Sequence, residues 1–238
     1  MQAPGKTVVL IPTYNERENI AYMVAGISAS LPEASIIVLD DNSPDGTGEE
    51  VRTLQKTYPQ VVLRSRPGKQ GLGRAYLDGF RAVLAEPQVE RVIMMDADGS
   101  HAPEYLPALI AASADADLVV GSRYVRGGGI ENWEPWRYLL SRYGNFYARM
   151  VTGLPLRDLT AGFMCLRVSL LRSLDLNRLG ASGYAFLMEL KFCAVHKGHA
   201  SVAEVPIIFK VRRGGESKIS SHIIREGLLA PWKLRFKK

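Results

Sequence analysis

The chain has 238 residues, 47% of them hydrophobic and 23% charged, which fits one globular domain and excludes collagen-like or broadly disordered architectures. Lys and Arg number 30 against 24 Asp and Glu, giving a net charge of +6 and a pI near 9.3. The surplus is concentrated in residues 210–238, where nine basic residues stand against two acidic ones, a local +7 that leaves the preceding 209 residues at −1.

Residues 7–11 form a short apolar run that predicts a buried strand ending at Pro12. Residues 16–29 place Ile20, Met23, Val24 and Ile27 at helical spacing. The pattern then repeats: strand 35–39, helix 46–58, strand 61–63, helix 72–85, strand 91–95, helix 103–114 and strand 118–120. Short, fully apolar strands alternating with amphipathic helices predict an α/β fold, with a mostly parallel central sheet flanked by helices on both faces. Further along, residues 125–135 are rich in Gly and aromatics and read as a loop. Helices are expected at 136–151 and 185–196, and strands at 163–166 and 201–206. No linker divides the chain, so residues 1–219 are taken as one domain and 220–238 as a basic amphipathic segment.

Ligands of such sheets bind beyond the carboxyl ends of the strands. Polar clusters stand at those ends: Thr13-Tyr14-Asn15-Glu16, Asp40-Asp41-Asn42, Asp96-Ala97-Asp98 and Gly121-Ser122-Arg123. Asp96 and Asp98, two residues apart past a strand, can approach one Mg²⁺ or Mn²⁺ with help from substrate phosphates; the same Asp-x-Asp-Gly is also good turn chemistry. Asp40 and Asp41 on the same edge add negative charge that needs a cation or ligand donors, such as a nucleotide ring and ribose, to offset it. Asp45 reads as a helix cap. Gly68-Lys69-Gln70-Gly71-Leu72-Gly73-Arg74 opens a helix either as an anion cradle or as a tight turn.

Cys165 and Cys193 form neither a CxxC pattern nor a disulfide framework, which favours a reducing compartment. The opening MQAPGKTVVLIP lacks a signal-peptide pattern, and no window approaches the roughly 18 apolar residues of a membrane span. A cytoplasmic protein, or one peripheral on the cytosolic face of a membrane, is the resulting expectation.

Seven segments in order carry a resemblance: IPTYNERENI, VLDDNSPDGTGEEV, GKQGLGRAYLDGF, MMDADGSH, VVGSRYVRGGGIENW, LTAGFMCLR and VPIIFKVRRGGESKI. Together they are similar to the polyprenol/dolichol-phosphate mannose synthases, inverting glycosyltransferases of family 2 with a GT-A (Rossmann-like) fold. The resemblance implies a donor pocket of Pro12, Tyr14, Glu16, Asp40, Asp41, Lys69 and Asp96, with a metal on Asp96 and Asp98. It further implies that Arg123, Arg137 and Ser141 meet the acceptor and sugar-bearing phosphates, and that Arg212 and Lys218 close over the donor. GDP-mannose and a polyprenyl phosphate are the implied substrates, at a membrane surface, with room for a membrane-anchoring partner protein. The chain departs from the pattern at Gly99 and Ser100 and at Gly214, and it has none of the C-terminal membrane helices found in many of these enzymes.

The chemistry adds its own expectation. A phosphomonoester with a second pKa of about 6 is already largely deprotonated at neutral pH, so no obligatory carboxylate base is predicted. Arginine forks suit the acceptor dianion, and a cation with Arg and Lys suits the leaving diphosphate. UDP-glucose is the alternative donor. A nucleotidyltransferase would want a Gly-rich loop after the first strand, where this chain has PTYNE. Nucleic acid ranks last, because the body of the chain carries no basic surplus. Trp133 and Trp136 suit either an apolar cluster or a lipid contact, and Leu228 onward suits either an anionic membrane or packing on the body.

Overall fold

The computed structural model describes residues 5–180, 183–210 and 221–237, with the side chains of 183, 184 and 221–227 also outside the description. The elements are β1 (Lys6–Thr13), α1 (Arg17–Ser30), β2 (Ser35–Asp40), α2 (Thr47–Leu54), β3 (Val61–Ser65), α3 (Leu72–Leu84), β4 (Val89–Met94), α4 (Leu106–Ala112), β5 (Leu118–Ser122), β6 (Gly129–Ile130), α5 (Pro135–Thr152), β7 (Met164–Arg167), α6 (Val168–Ser173), α7 (Gly183–His196), β8 (Val202–Pro206), β9 (Ile208–Phe209) and α8 (Ser221–Arg235).

Seven strands form one sheet in the order β3-β2-β1-β4-β7-β5-β8, and β6 and β9 form a small second ladder. All neighbours in the large sheet are parallel except β7, which runs antiparallel between β4 and β5. Val8, Val9, Leu10 and Ile11 of β1 are all buried, as a central strand covered on both faces requires. The even positions belong to the core under α3 and α7, the odd ones to the core under α1 and α4. Helix α3 approaches the sheet closely: a Cβ at Gly79 would lie 2.7 Å from Leu10 Cδ1 and 2.9 Å from Leu39 Cδ1.

The α/β expectation holds, with a mostly parallel sheet between helices. Three local readings change. The expected loop 125–135 contains β6, because Gly129 and Ile130 pair with Ile208 and Phe209. Its return onto β5 needs Gly128, where a Cβ would meet the Ser122 carbonyl oxygen at 2.5 Å. The helix expected over 46–58 ends at Leu54, and α6 was not anticipated. Asp45 does cap: Oδ1 accepts from Thr47 N at 3.0 Å and Thr47 Oγ1 at 2.6 Å, while Oδ2 accepts from Arg17 N at 3.1 Å. One carboxylate thus ties down the first turns of α1 and α2. Both cysteines are buried free thiols, and burial pushes Cys165 up to about 12.

Candidate active site

Parallel pairing brings the carboxyl ends of β1, β2 and β4 to one edge. Thr13 lies beside Asp40 in register, Asp41 N donates to Thr13 O at 3.1 Å, and Met95 N donates to Leu10 O at 3.1 Å. The four polar clusters of the sequence therefore share one rim.

Asp40 is buried, with Oδ1 accepting from Thr13 Oγ1 at 2.9 Å and Ser43 Oγ at 2.6 Å, and Oδ2 from Ser43 N at 3.0 Å. It shapes the loop after β2. Asp41 pairs with the buried Arg66 guanidinium and accepts from Gln70 N at 3.3 Å. One amide of the Gly-rich segment is therefore directed at Asp41. Arg66 continues through Nε to Asp78 at 2.8 Å, linking this loop to α3. Lys69 Nζ stands 4.2 Å above the Tyr14 ring, so these two expected donor contacts sit together. Pro12 is half-buried nearby on β1, and Glu16 Oε2 accepts from Asn19 Nδ2 at 2.8 Å.

Asp98 is buried, and its Oδ1 accepts from Ser100 N at 3.0 Å and Ser100 Oγ at 2.6 Å. Asp96 is half-exposed at the rim, and its amide donates to His101 Nδ1 at 3.1 Å. That bond leaves the His101 ring proton on Nε2 and orients the ring behind Asp96. Among the described residues no group of three or more His, Cys, Asp or Glu is placed to hold a metal. A pair of carboxylates, the set the described residues offer here, fits Mg²⁺ or Mn²⁺, which complete their shells with phosphate oxygens and water.

A second cluster adjoins the first through Phe209, which the sequence reading did not single out. Its ring lies 5.6 Å from His101, 5.3 Å from the Arg123 guanidinium carbon and 5.9 Å from Trp133. Arg137 stacks over Trp133 at 4.0 Å, and Tyr124 donates to Ser141 Oγ at 2.7 Å. Arg123, Arg137 and Ser141 are thereby brought to one side of the Asp96–Asp98 rim. Lys210 N donates to Ser100 O at 3.2 Å, so the chain stands at the Asp98 loop at residue 210. Arg212 and Lys218 lie outside the described residues. His196 is an exposed histidine at the end of α7 whose Nε2 is 3.0 Å from Thr152 O.

Asp158 is the main residue that sequence reasoning missed. It is fully buried and accepts from Arg123 N at 3.1 Å, Nε at 2.7 Å and Nη2 at 2.7 Å, while Arg123 Nη2 also donates to Thr160 Oγ1 at 2.8 Å. Burial raises the Asp158 carboxyl, but the charge and hydrogen bonds of Arg123 outweigh it and hold the group below its ordinary value. Lys191, fully buried on α7, donates to Leu159 O at 3.0 Å and Ala161 O at 2.7 Å, fastening the loop that carries Thr160. A charged residue inside the apolar helix FLMELKFCAV was the available signal, because a buried lysine demands partners.

Burial lowers Lys191 to about 7, opposed by the charges of Asp158 and Glu204 and reinforced by that of Arg123. An unfolded lysine titrates at about 10.4. Between those values the unfolded chain binds the extra proton, so this group makes stability rise with pH. The melting temperature of the wild type minus that of Lys191→Met should therefore increase from pH 7 to pH 10. A pH-independent difference would contradict the buried, titrating amine.

A family model for glycosyl transferase family 2 matches residues 8–175. The chain is 45% identical over 235 residues to the polyprenol monophosphomannose synthase of Mycolicibacterium smegmatis, covering 97% of this chain and 88% of that protein. It is 41% identical over 235 residues to the undecaprenyl-phosphate mannosyltransferase of Micrococcus luteus, covering 95% of this chain and 96% of that protein. A solved glucosyl-3-phosphoglycerate synthase from Mycobacterium tuberculosis, in complex with Mn²⁺, UDP-glucose and glycerol 3-phosphate, is similar in fold. Its TM-score is 0.71 at 20% identity, over 98% of this chain and 81% of that one. With the same sheet, an acidic rim at its carboxyl edge and a family match over most of its length, the chain belongs to glycosyl transferase family 2.

Proposed function

We propose that this protein transfers mannose from GDP-mannose to a polyprenyl (dolichyl-type) monophosphate, with inversion, to give polyprenyl-phosphate mannose. The observation that carries this is identity of 41–45%, across nearly the whole chain, to two proteins named for mannosyl transfer to such lipids. On the donor side, Pro12, Tyr14, Glu16, Lys69 and Asp41 line the nucleotide pocket, while Asp40 holds the loop that presents Asp41. Asp96 and Asp98 hold Mg²⁺ or Mn²⁺, which when bound neutralises charge developing on the leaving diphosphate. Arg212 and Lys218 serve the same phosphates.

On the acceptor side, Arg137 and Ser141 bind the lipid phosphate, and Arg123 shapes that pocket from its buried pair with Asp158. The acceptor arrives deprotonated, so the chain's task is to orient the dianion rather than to remove a proton. Asp158 is unsuited to base chemistry because its oxygens receive Arg123. The test is transfer of label from GDP-mannose or UDP-glucose to a polyprenyl phosphate, with divalent cation or EDTA, read in the organic phase. Cation-dependent transfer from GDP-mannose is expected. Transfer from UDP-glucose instead, or from neither donor, defeats the proposal.

The lipid acceptor calls for a membrane surface, and two helices offer one. Helix α5 exposes Trp136, Leu139, Leu140, Tyr143, Phe146 and Met150, and α8 beside it exposes Leu228, Leu229 and Trp232, with Phe236 just past its end. Tyr147 locks the two together, accepting from Trp232 Nε1 at 2.7 Å and donating to Leu228 O at 3.0 Å. One face of α8 packs on the body through Ala230 and Leu234, so the packed and membrane readings of this segment are compatible. Exposed Arg142, Arg149, Lys233 and Arg235 flank the apolar surface, as at an interface with anionic lipid. Among the described residues no helix is long and apolar enough to cross a membrane. We therefore place the protein peripherally on the cytosolic face, with a membrane-anchoring partner protein compatible with this arrangement. Replacing Tyr143 and Phe146 by Asp should weaken sedimentation with anionic vesicles by at least about tenfold, from the apolar area removed. Transfer to a short-chain, soluble acceptor should persist; unchanged vesicle binding would sink the assignment.

A further inference from the structure

Ser141 lies on α5 one helical turn beyond Arg137. A hydroxyl inside a helix commonly donates to the carbonyl four residues back. Thr152 of the same helix does so, its Oγ1 donating to Ala148 O at 2.7 Å. Ser141 does not. Its Oγ is turned to Tyr124 and accepts from Tyr124 Oη at 2.7 Å, across 17 residues of chain. Its carbonyl accepts from Asn145 Nδ2 at 2.9 Å.

Tyr124, just past β5, is held in a fixed frame. Its half-buried ring lies 5.2 Å from the Arg123 guanidinium carbon and 6.2 Å from the Tyr138 ring. Arg123 is tied to Asp158 and to Thr160 Oγ1, which also accepts from Asn145 Nδ2 at 3.2 Å. Asn145 Oδ1 accepts from Leu159 N at 2.8 Å, so the middle of α5 is anchored to the same loop. Burial raises the Tyr124 phenol against the opposing charge of Arg123, and the hydroxyl keeps its proton at neutral pH. A phenol is a stronger acid than an alkyl hydroxyl, so Tyr124 donates and Ser141 accepts. A serine hydroxyl carries one proton and two lone pairs. With a lone pair engaged by Tyr124, the Ser141 proton has no acceptor among the described residues and is left for an anion.

We propose that Tyr124 is a positioning residue for the acceptor phosphate and acts through Ser141, its hydroxyl holding Ser141 Oγ in the rotamer whose proton is available to that phosphate. This rests on the assignment of Ser141 to the acceptor phosphate. Without the phenol oxygen, Ser141 can turn about its Cα–Cβ bond and donate to Arg137 O, as Thr152 donates to Ala148 O. The proton is then spent on the helix, and one donor to the dianion is lost.

The test measures initial rates of transfer from GDP-mannose to a short-chain polyprenyl phosphate for the wild type, Tyr124→Phe, Ser141→Ala and the double variant. A hydrogen bond to a charged group is worth about 10-fold or more. Tyr124→Phe should therefore lower kcat/KM for the acceptor about 10-fold while KM for GDP-mannose stays unchanged. It should melt within about 6 °C of the wild type, since one hydrogen bond is removed without change of shape. Ser141→Ala should lose about as much, and the double variant no more than Ser141→Ala alone, because both changes remove the same donor. An unchanged acceptor kcat/KM in Tyr124→Phe overturns the proposal. So does a double variant in which the two losses multiply, because Tyr124 then acts independently of Ser141. An equal rise in KM for GDP-mannose overturns it too, by assigning the effect to the fold of the site. If the wild type transfers no mannose, or Ser141→Ala transfers as well as the wild type, the reading beneath this inference fails first and the inference falls with it.

Discussion

Asp158→Ala should be the most destabilising single substitution near the site, lowering the melting temperature by about 10 °C. Asp158 has no exposed surface, and three donors of Arg123 converge on it. Removing one partner of a buried ion pair leaves the other charge without compensation and costs about 3–5 kcal/mol. For a domain of this length each kcal/mol corresponds to roughly 2–4 °C. The pair also has a definite pH dependence. The folded carboxyl is held below its unfolded value, so its contribution is complete above the unfolded pKa and is lost as pH falls through the folded one. Scanning calorimetry of Asp158→Ala, Arg123→Met and the double variant separates the possibilities. The double variant should be less destabilised than the two single effects combined, because neither charge is left behind. A shift below about 2 °C for Asp158→Ala would contradict a buried pair. Transfer activity should fall as well, since the guanidinium between Phe209 and Tyr124 loses what aims it.

The Arg123–Asp158 pair also marks where the sequence stops being legible. Its partners are 35 residues apart, and Asp158 sits in LPLRDLT, which local chemistry presents as an ordinary loop. Its immediate neighbours are Arg157 and Leu159, and nothing local names the distant Arg123 as its counter-ion. The same holds for β7. The run MCLR announces a buried strand, yet an apolar strand carries no mark of direction, and only the tertiary path inserts it antiparallel between β4 and β5. What was legible rests on local physics. Strands ending at Thr13, Asp40 and Ser122, and the strand that leads into Asp96, share a rim because parallel strands place their carboxyl ends on one side. Asp45 was recognisable as a cap for the same local reason, although its second task, on the first turn of α1, was not.

Asp98→Asn is expected to reduce mannosyl transfer by about 10³-fold at a cation concentration that saturates the wild type, corresponding to about 4 kcal/mol. Asparagine is the informative replacement because its carbonyl oxygen can still accept from Ser100 N and Ser100 Oγ, the two donors that hold Asp98 Oδ1. The loop keeps its shape and only the charge goes. Without cation, the variant should melt at the same temperature or higher, since Asp96 and Asp98 repel each other on a shared rim. A loss of stability would instead mean that the carboxylate serves the fold. The decisive arm raises Mn²⁺ until the variant is fully occupied, with occupancy read by electron paramagnetic resonance. If Asp98 acts through the cation, transfer should climb with occupancy toward the wild-type rate. Failure to recover at full occupancy would give Asp98 a direct part in the chemistry and would contradict the absence of an obligatory base. The pH profile supplies the independent check: activity should follow the second ionisation of the acceptor phosphate, near 6, rather than any protein carboxylate.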